Sequence, residues 1–197
     1  MATTVEKKNT STTYVELAGL VENDGMKTFR LSNVEISGDE DDAFRLSRSL
    51  RGHPGLEEVY LTNITLTEEG LKMDNIIEML LVSSQSLKVL KLDNVPVQAK
   101  SVATVAYCET LETLALPNNK FNDVDAKAIA DAVESSTSVK EVDLSGNRIS
   151  DSGCKSLGLC LEKNKVIEKI SLSGNSISGA ETTKLESTLQ ARVAVAA

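Results

Sequence analysis

Residues 139–149 read VKEVDLSGNRI, and residues 167–177 read IEKISLSGNSI. Both are apolar at positions 1, 4, 6 and 11 of the stretch and mostly polar between. Working back toward the N-terminus, the same spacing returns as LETLALPNNKF from Leu111, LKVLKLDNVPV from Leu87, LEEVYLTNITL from Leu56 and MKTFRLSNVEI from Met26. The six starts lie 30, 31, 24, 28 and 28 residues apart. A period of this size marks a chain of stacked supersecondary units, none of which can bury its apolar face alone.

Each unit switches period along its length. Positions 4 and 6 (Phe29/Leu31, Val59/Leu61, Leu90/Leu92, Leu114/Leu116, Val142/Leu144 and Ile170/Leu172) alternate with polar neighbours, as one face of a short strand does. Spacings of three and four then take over. Ala126, Ile129, Ala130 and Val133 form one helical stripe, Cys154, Leu157 and Leu161 the next, and Leu185 and Leu189 a third. Successive strands pair in parallel only if a crossover joins them, and a helix is the usual crossover. The fold class is therefore α/β, with a parallel sheet on one side and helices on the other. The two long spacings at the start predict longer helical segments in the first two units.

The shared pattern, L-x-x-L-x-L-x-x-N-x-L, resembles that of the leucine-rich repeats, in particular the ribonuclease-inhibitor-like class, over roughly residues 26–193. The resemblance implies a horseshoe-shaped solenoid of about six repeats with the sheet concave and the helices convex. It implies a non-catalytic scaffold or assembly subunit that binds a partner protein. Two narrower roles occur on similar repeats: stimulation of a small GTPase, in a much longer solenoid, and tropomodulin-like cytoskeletal binding, where a short repeat domain is joined to actin- and tropomyosin-binding helices. In this family a position-9 Asn bonds the turning backbone. Asn119, Asn147 and Asn175 occupy that place, whereas the first three repeats carry Val34, Ile64 and Val95 there, with Asn33, Asn63 and Asn94 one residue earlier. An asparagine ladder is therefore expected only in the C-terminal half.

The ends are read from composition. Residues 1–13, rich in Thr, Lys and Asn, are expected to be a disordered tail. Residues 14–197 form one domain: an N-terminal cap over 14–25, six repeats over 26–191, and a tail or closing strand over 192–197. The cap is expected as a strand over 14–20 and a turn over 22–25.

The chain of 197 residues carries a formal net charge of −8 and few aromatics, at 3%. Nucleic-acid affinity comes from Lys and Arg neutralising phosphates, so an acidic chain without a basic cluster is not expected to bind it. No stretch has the length and apolarity of a transmembrane span or a signal sequence. An odd set of cysteines, Cys108, Cys154 and Cys160, without zinc-ligand spacing fits reduced thiols in an intracellular, cytoplasmic setting. The sequons at Asn9 and Asn63 are then chance matches. The sole histidine, His53, precedes Pro54-Gly55 and is expected to be exposed in a turn. No nucleophile–base set assembles, so no enzyme activity, metal, cofactor or small-molecule substrate is expected. The run Asp39–Asp42 precedes an apolar stripe at Ala43, Leu46 and Leu50, where a helix dipole favours acidic residues.

Candidate binding residues lie on the concave strands. Position 2 alternates in sign without exception: Lys27, Glu57, Lys88, Glu112, Lys140, Glu168. Such a ladder fixes register and adds modestly to stability. Among positions that face outward, Tyr and Arg make the best anchors. A patch of Arg30, Glu58, Tyr60, Val89 and Lys91 satisfies this, with Glu141 and Asp143 as a separate acidic spot.

Overall fold

The structure, a computed structural model, describes residues 3–21, 25–51, 53–67 and 73–196, with Thr3 and 192–196 described by backbone alone. Among the described residues seven strands form one parallel sheet in strict chain order. They are β1 (Thr3–Thr13), β2 (Met26–Ser37), β3 (Glu58–Leu66), β4 (Val89–Asp93), β5 (Thr113–Ala115), β6 (Glu141–Asp143) and β7 (Lys169–Ser171). Between and after them run α1 (Tyr14–Val21), α2 (Glu40–Arg51), α3 (Met73–Ser83), α4 (Ala99–Val102) continued by a 3₁₀ turn over Ala103–Tyr107, α5 (Asp123–Glu134), α6 (Asp151–Lys163) and α7 (Gly179–Ala196). The molecule is a two-layer solenoid in which every strand is followed by a helix on the same side of the sheet.

Register confirms the phase of the repeats. Phe29, Val59, Leu90, Leu114, Val142 and Ile170 lie side by side across six strands, the position-4 row. That row is no more than 1% exposed from Phe29 to Val142. It packs against the helical stripes, of which Ala126, Ile129, Val133, Leu157 and Leu161 are fully closed off. Each fully buried Leu or Ile removes enough apolar surface from water to contribute about 1.5–3 kcal/mol.

The N-terminal residues depart from expectation. Thr3–Thr13 is not a disordered tail: it is strand β1, paired along its length with β2. Tyr14–Val21 is helix α1, not a hairpin strand, and Tyr14, Leu17 and Val21 are buried against the first core layer. The predicted turn at 22–25 lies outside the described residues except for Gly25. The segment is thus a seventh repeat whose apolar code is degenerate. Val5 stands in register with Phe29, but Lys7 stands in register with Leu31. Lys7 Nζ bonds Thr12 Oγ1 and reaches Glu16 Oε2 at 3.1 Å, and Thr12 Oγ1 donates to Glu16 Oε2 at 2.6 Å. This polar cluster closes the N-terminal end of the stack, as terminal repeats require. The opposite end differs. Helix α7 runs to Ala196, so 192–196 form no closing strand, and Ile170 and Leu172 are only partly buried.

The long spacings at the start also resolve differently. Helices α2 and α3 have 12 and 11 residues, no longer than α5 and α6 with 12 and 13. The strands are long instead: β2 has 12 residues and β3 has 9, against 3 for β5, β6 and β7. The repeats agree up to position 8 and part after it. Asn9, Asn33, Asn63, Asn94 and Asn118 have φ of 49–60°, and Gly146 and Gly174 have φ of 66° and 72°. The left-handed region is open to Gly and, among other residues, most readily to Asn. In every repeat this residue turns the chain out of its first strand direction. In the N-terminal repeats the chain resumes pairing after the corner, Val34 beside Ile64 and Ile36 beside Leu66. In the C-terminal repeats it enters a loop.

Two asparagine ladders follow from this. One runs through the C-terminal half, with Asn147 buried and Asn119 and Asn175 half-buried. Asn147 Oδ1 accepts from Asn119 N and Phe121 N at 2.9 and 3.0 Å, and its Nδ2 donates to the carbonyls of Leu116 and Leu144. Asn119 and Asn175 repeat the pattern on Val95 N and Ile149 N. The N-terminal half has a ladder of its own, contrary to expectation. Asn33 Nδ2 donates to Asn9 Oδ1, Asn63 to Asn33 and Asn94 to Asn63, at 2.8–3.0 Å on the exposed corner. There Val34, Ile64 and Val95 fill the interior.

Candidate partner-binding face

The face of the sheet turned away from the helices is built from positions 2, 3, 5 and 7. At position 2 the charge ladder forms. Glu57 bonds Lys27 on one side and Lys88 at 2.8 Å on the other, and Lys140 reaches Glu112 at 2.9 Å. The two ammonium hydrogen bonds, Lys27 first and Lys88 second, hold the Glu57 carboxyl down at about 2. Glu112 is lowered by its hydrogen bond from Lys140, and Lys140 and Lys88 are raised by the same contacts. Most of these charges are satisfied within the row, which leaves them little to offer a partner.

Position 5 places Arg30, Tyr60, Lys91, Ala115, Asp143 and Ser171 side by side; position 3 places Thr28, Glu58, Val89, Thr113, Glu141 and Lys169. Strand spacing brings the five N-terminal candidates into one patch on β2, β3 and β4. The Arg30 guanidinium lies 3.9 Å over the centre of the Tyr60 ring. Its Nη2 is also 3.9 Å from Glu58 Oε2, which accepts from Thr28 Oγ1 at 3.2 Å. Lys91 Nζ is 3.4 Å from Asp93 Oδ2. Partial burial and then the Glu58 charge raise the Tyr60 phenol, so the ring is a neutral hydroxyl donor at ordinary pH. Cation–π stacking of this kind is worth roughly 0.5–1 kcal/mol at exposed sites and holds the ring in one place.

Glu141 and Asp143 are not part of this patch. They sit on β6, separated from β4 by Thr113 and Ala115 of β5. Each is already engaged: Glu141 lies 3.5 Å from Lys169, and Asp143 Oδ1 accepts from Ser145 N at 2.9 Å.

His53 is not exposed. It is 8% accessible and packs in the turn before β3, where Nδ1 accepts from Gly55 N at 3.3 Å. Three residues before the first apolar residue of its repeat, it stands where Ser84, Ser136 and Asn164 stand in theirs. Those three accept from turn amides in the same way. This shared offset was the available signal for its role. Cys108, Cys154 and Cys160 are buried, and burial pushes the Cys154 thiol up. Among the described residues no three His, Cys, Asp or Glu side chains cluster so as to hold a metal ion, and no helix is long and apolar enough to cross a membrane.

A comparison with solved structures finds similarity to leiomodin-1 actin-binding site 2, at 14% identity and a TM-score of 0.48, covering 78% of this chain and 74% of that one. The tropomodulin C-terminal domain of Caenorhabditis elegans is similar at 11% identity and a TM-score of 0.47, covering 93% of this chain and 95% of that one. No curated protein sequence matches. The family model described as Leucine Rich repeat matches residues 107–130 and 135–158, two consecutive repeats of the C-terminal half. Seven in-register strand–helix units give this chain the architecture of a leucine-rich-repeat solenoid, and two of them carry the sequence pattern of the Leucine Rich repeat model.

Proposed function

We propose that this chain is a non-catalytic protein-binding module and that its partner docks on the outward sheet face over β2, β3 and β4. The observation that carries the reading is the stacked pair Arg30–Tyr60, flanked in register by Lys91. It supplies a pre-ordered aromatic and cationic anchor on a face otherwise made of small and charged residues, and interface energy concentrates on such residues. Glu58 and Val89 complete the patch; Glu141 and Asp143 are a second, acidic contact two strands away. An intracellular, reducing setting suits the buried Cys108 and Cys154, neither of which is in a disulfide. The non-catalytic reading is supported by His53, whose Nδ1 is occupied by the turn, and by the Cys154 thiol, which burial disfavours as a thiolate.

The test is affinity purification from the native source with wild type and a Tyr60→Ala/Lys91→Glu variant, after circular dichroism has shown equal folding. Recovery of a partner by wild type and its loss by the variant supports the reading. Equal recovery by both overturns it.

A further inference from the structure

The opposite face carries a feature that the sheet does not explain. Phe44 on α2, Val82 on α3 and Tyr107 at the end of the 3₁₀ turn are 59%, 54% and 72% exposed. They are not scattered. Phe44, Met79 and Val82 line one groove between α2 and α3, and Val82 and Tyr107 line the depression that continues it. The cause is the repeat that starts at Leu87. It is the shortest of the six, and its crossover is only the four residues of α4 and one 3₁₀ turn. A full helix there would cover the flank of α3 that bears Val82; the short crossover leaves a step.

The groove has polarity in charge as well as an apolar floor. Glu40 and Asp41, at the start of α2, line the groove together with Glu78 of mid-α3, while Arg48 and Arg51, toward the end of α2, line the depression that continues it, with Glu109 beside them. We infer that this groove is a second docking surface, distinct from the sheet face, and that its occupant is an amphipathic α-helix of a partner protein. The backbone of α2 and α3 is consumed in its own helical ladders, so an extended strand finds no edge to pair with. A third helix can bed between two others by side-chain packing alone. Charge complementarity sets its composition: Leu-like residues along one face, acidic residues in its first turn over Arg48 and Arg51, and Lys or Arg in its last turn over Glu40, Asp41 and Glu78. This direction runs antiparallel to α2 and agrees with the occupant's own dipole. Spanning the 12 residues of α2 requires about 18 Å, or three turns.

The experiment uses the full chain and synthetic helical peptides of roughly 14 residues, about 21 Å at 1.5 Å per residue. One has an apolar stripe with Glu in its first turn and Lys in its last. The second has Glu at both ends. The third is a scramble of the first without a stripe. Fluorescence anisotropy is expected to show binding of the first peptide only, weakened about tenfold or more by Phe44→Ser/Val82→Ser. Glu40→Gln/Asp41→Asn/Glu78→Gln is expected to weaken binding and flatten its salt dependence. Leu159→Ser, equally exposed on α6, and Tyr60→Ala are expected to leave binding unchanged, which separates this surface from the sheet face. All substituted groups are on the surface, and matched thermal melts establish that the variants fold. The proposal is overturned by failure of the first peptide to bind, by equal binding of the scramble, or by indifference to Phe44→Ser/Val82→Ser. Binding of the chain to phosphatidylserine vesicles that is lost in that variant also overturns it, in favour of a membrane surface.

Discussion

A Cβ placed on Gly146 would lie 2.1 Å from Oδ1 of Asn118, one repeat earlier on the same corner. Gly146 also has φ of 66°, so both backbone and space select glycine there. Gly146→Ala is expected to lower stability by about 2 kcal/mol or more, from the left-handed penalty and the displaced Asn118 together. Gly174 shares the conformation but meets only backbone at 3.4 and 3.5 Å. Gly174→Asn is therefore expected to cost clearly less than Gly146→Asn in urea melts. Equal costs would mean that the contact with Asn118 is unimportant.

The two asparagine ladders differ in depth and should differ in energy. Asn147 is 6% exposed and serves two amides and the carbonyls around them. Asn147→Ala leaves those groups buried and unpartnered, at about 1–3 kcal/mol each for the worst placed, so a loss of about 3 kcal/mol is expected. Asn33→Gly keeps the permitted positive φ and removes two exposed amide links, to Asn9 and from Asn63, so a change within about 1 kcal/mol is expected. Chemical denaturation of both variants compares them directly.

Glu57 gives the clearest pH signature. Its folded pKa, about 2, lies below the ordinary 4.5, so the native state binds this proton less readily than the unfolded chain. The stabilisation is therefore present above about 4.5 and is lost as pH falls toward 2. In Lys27→Met/Lys88→Met the carboxyl is expected to titrate near its ordinary value, read by carbon-13 NMR of the Glu57 side chain. An unchanged titration would show that the lysine contacts do not form in solution.

His53 is expected to behave as a turn residue. His53→Asn restores a side-chain acceptor of the kind that Asn164 supplies to Val166 and Ile167, and should stay near wild-type stability. His53→Leu removes the acceptor from a buried turn and is expected to cost about 1–3 kcal/mol. A thermal melt in which the Leu variant equals wild type would refute the role.

Much of this was legible because the units from Met26 onward repeat a steric code. Phe29, Val59, Leu90, Leu114 and Val142 each face the same interior, so one reading of the pattern served five times. The N-terminal strand escaped because Lys7 stands where the others have Leu, and a polar cap is written in the same residues as a disordered tail. The surviving signal was Asn9, in phase with Asn33, Asn63, Asn94 and Asn118 as corner residues. The candidate patch was legible as far as parallel register fixes neighbours, which is why Arg30, Tyr60 and Lys91 fall together. The groove on the helix side was not, because whether Val82 is covered depends on the length of the next crossover and not on its own helix pattern.

The polar cluster of Lys7, Thr12 and Glu16 covers the edge of the stack from which the six later repeats extend. Every strand then pairs with one only a single repeat behind it in sequence. During synthesis each later repeat therefore closes onto surface already in place. Synthesis and folding can proceed in the same direction, with the apolar front exposed at any moment limited to one layer.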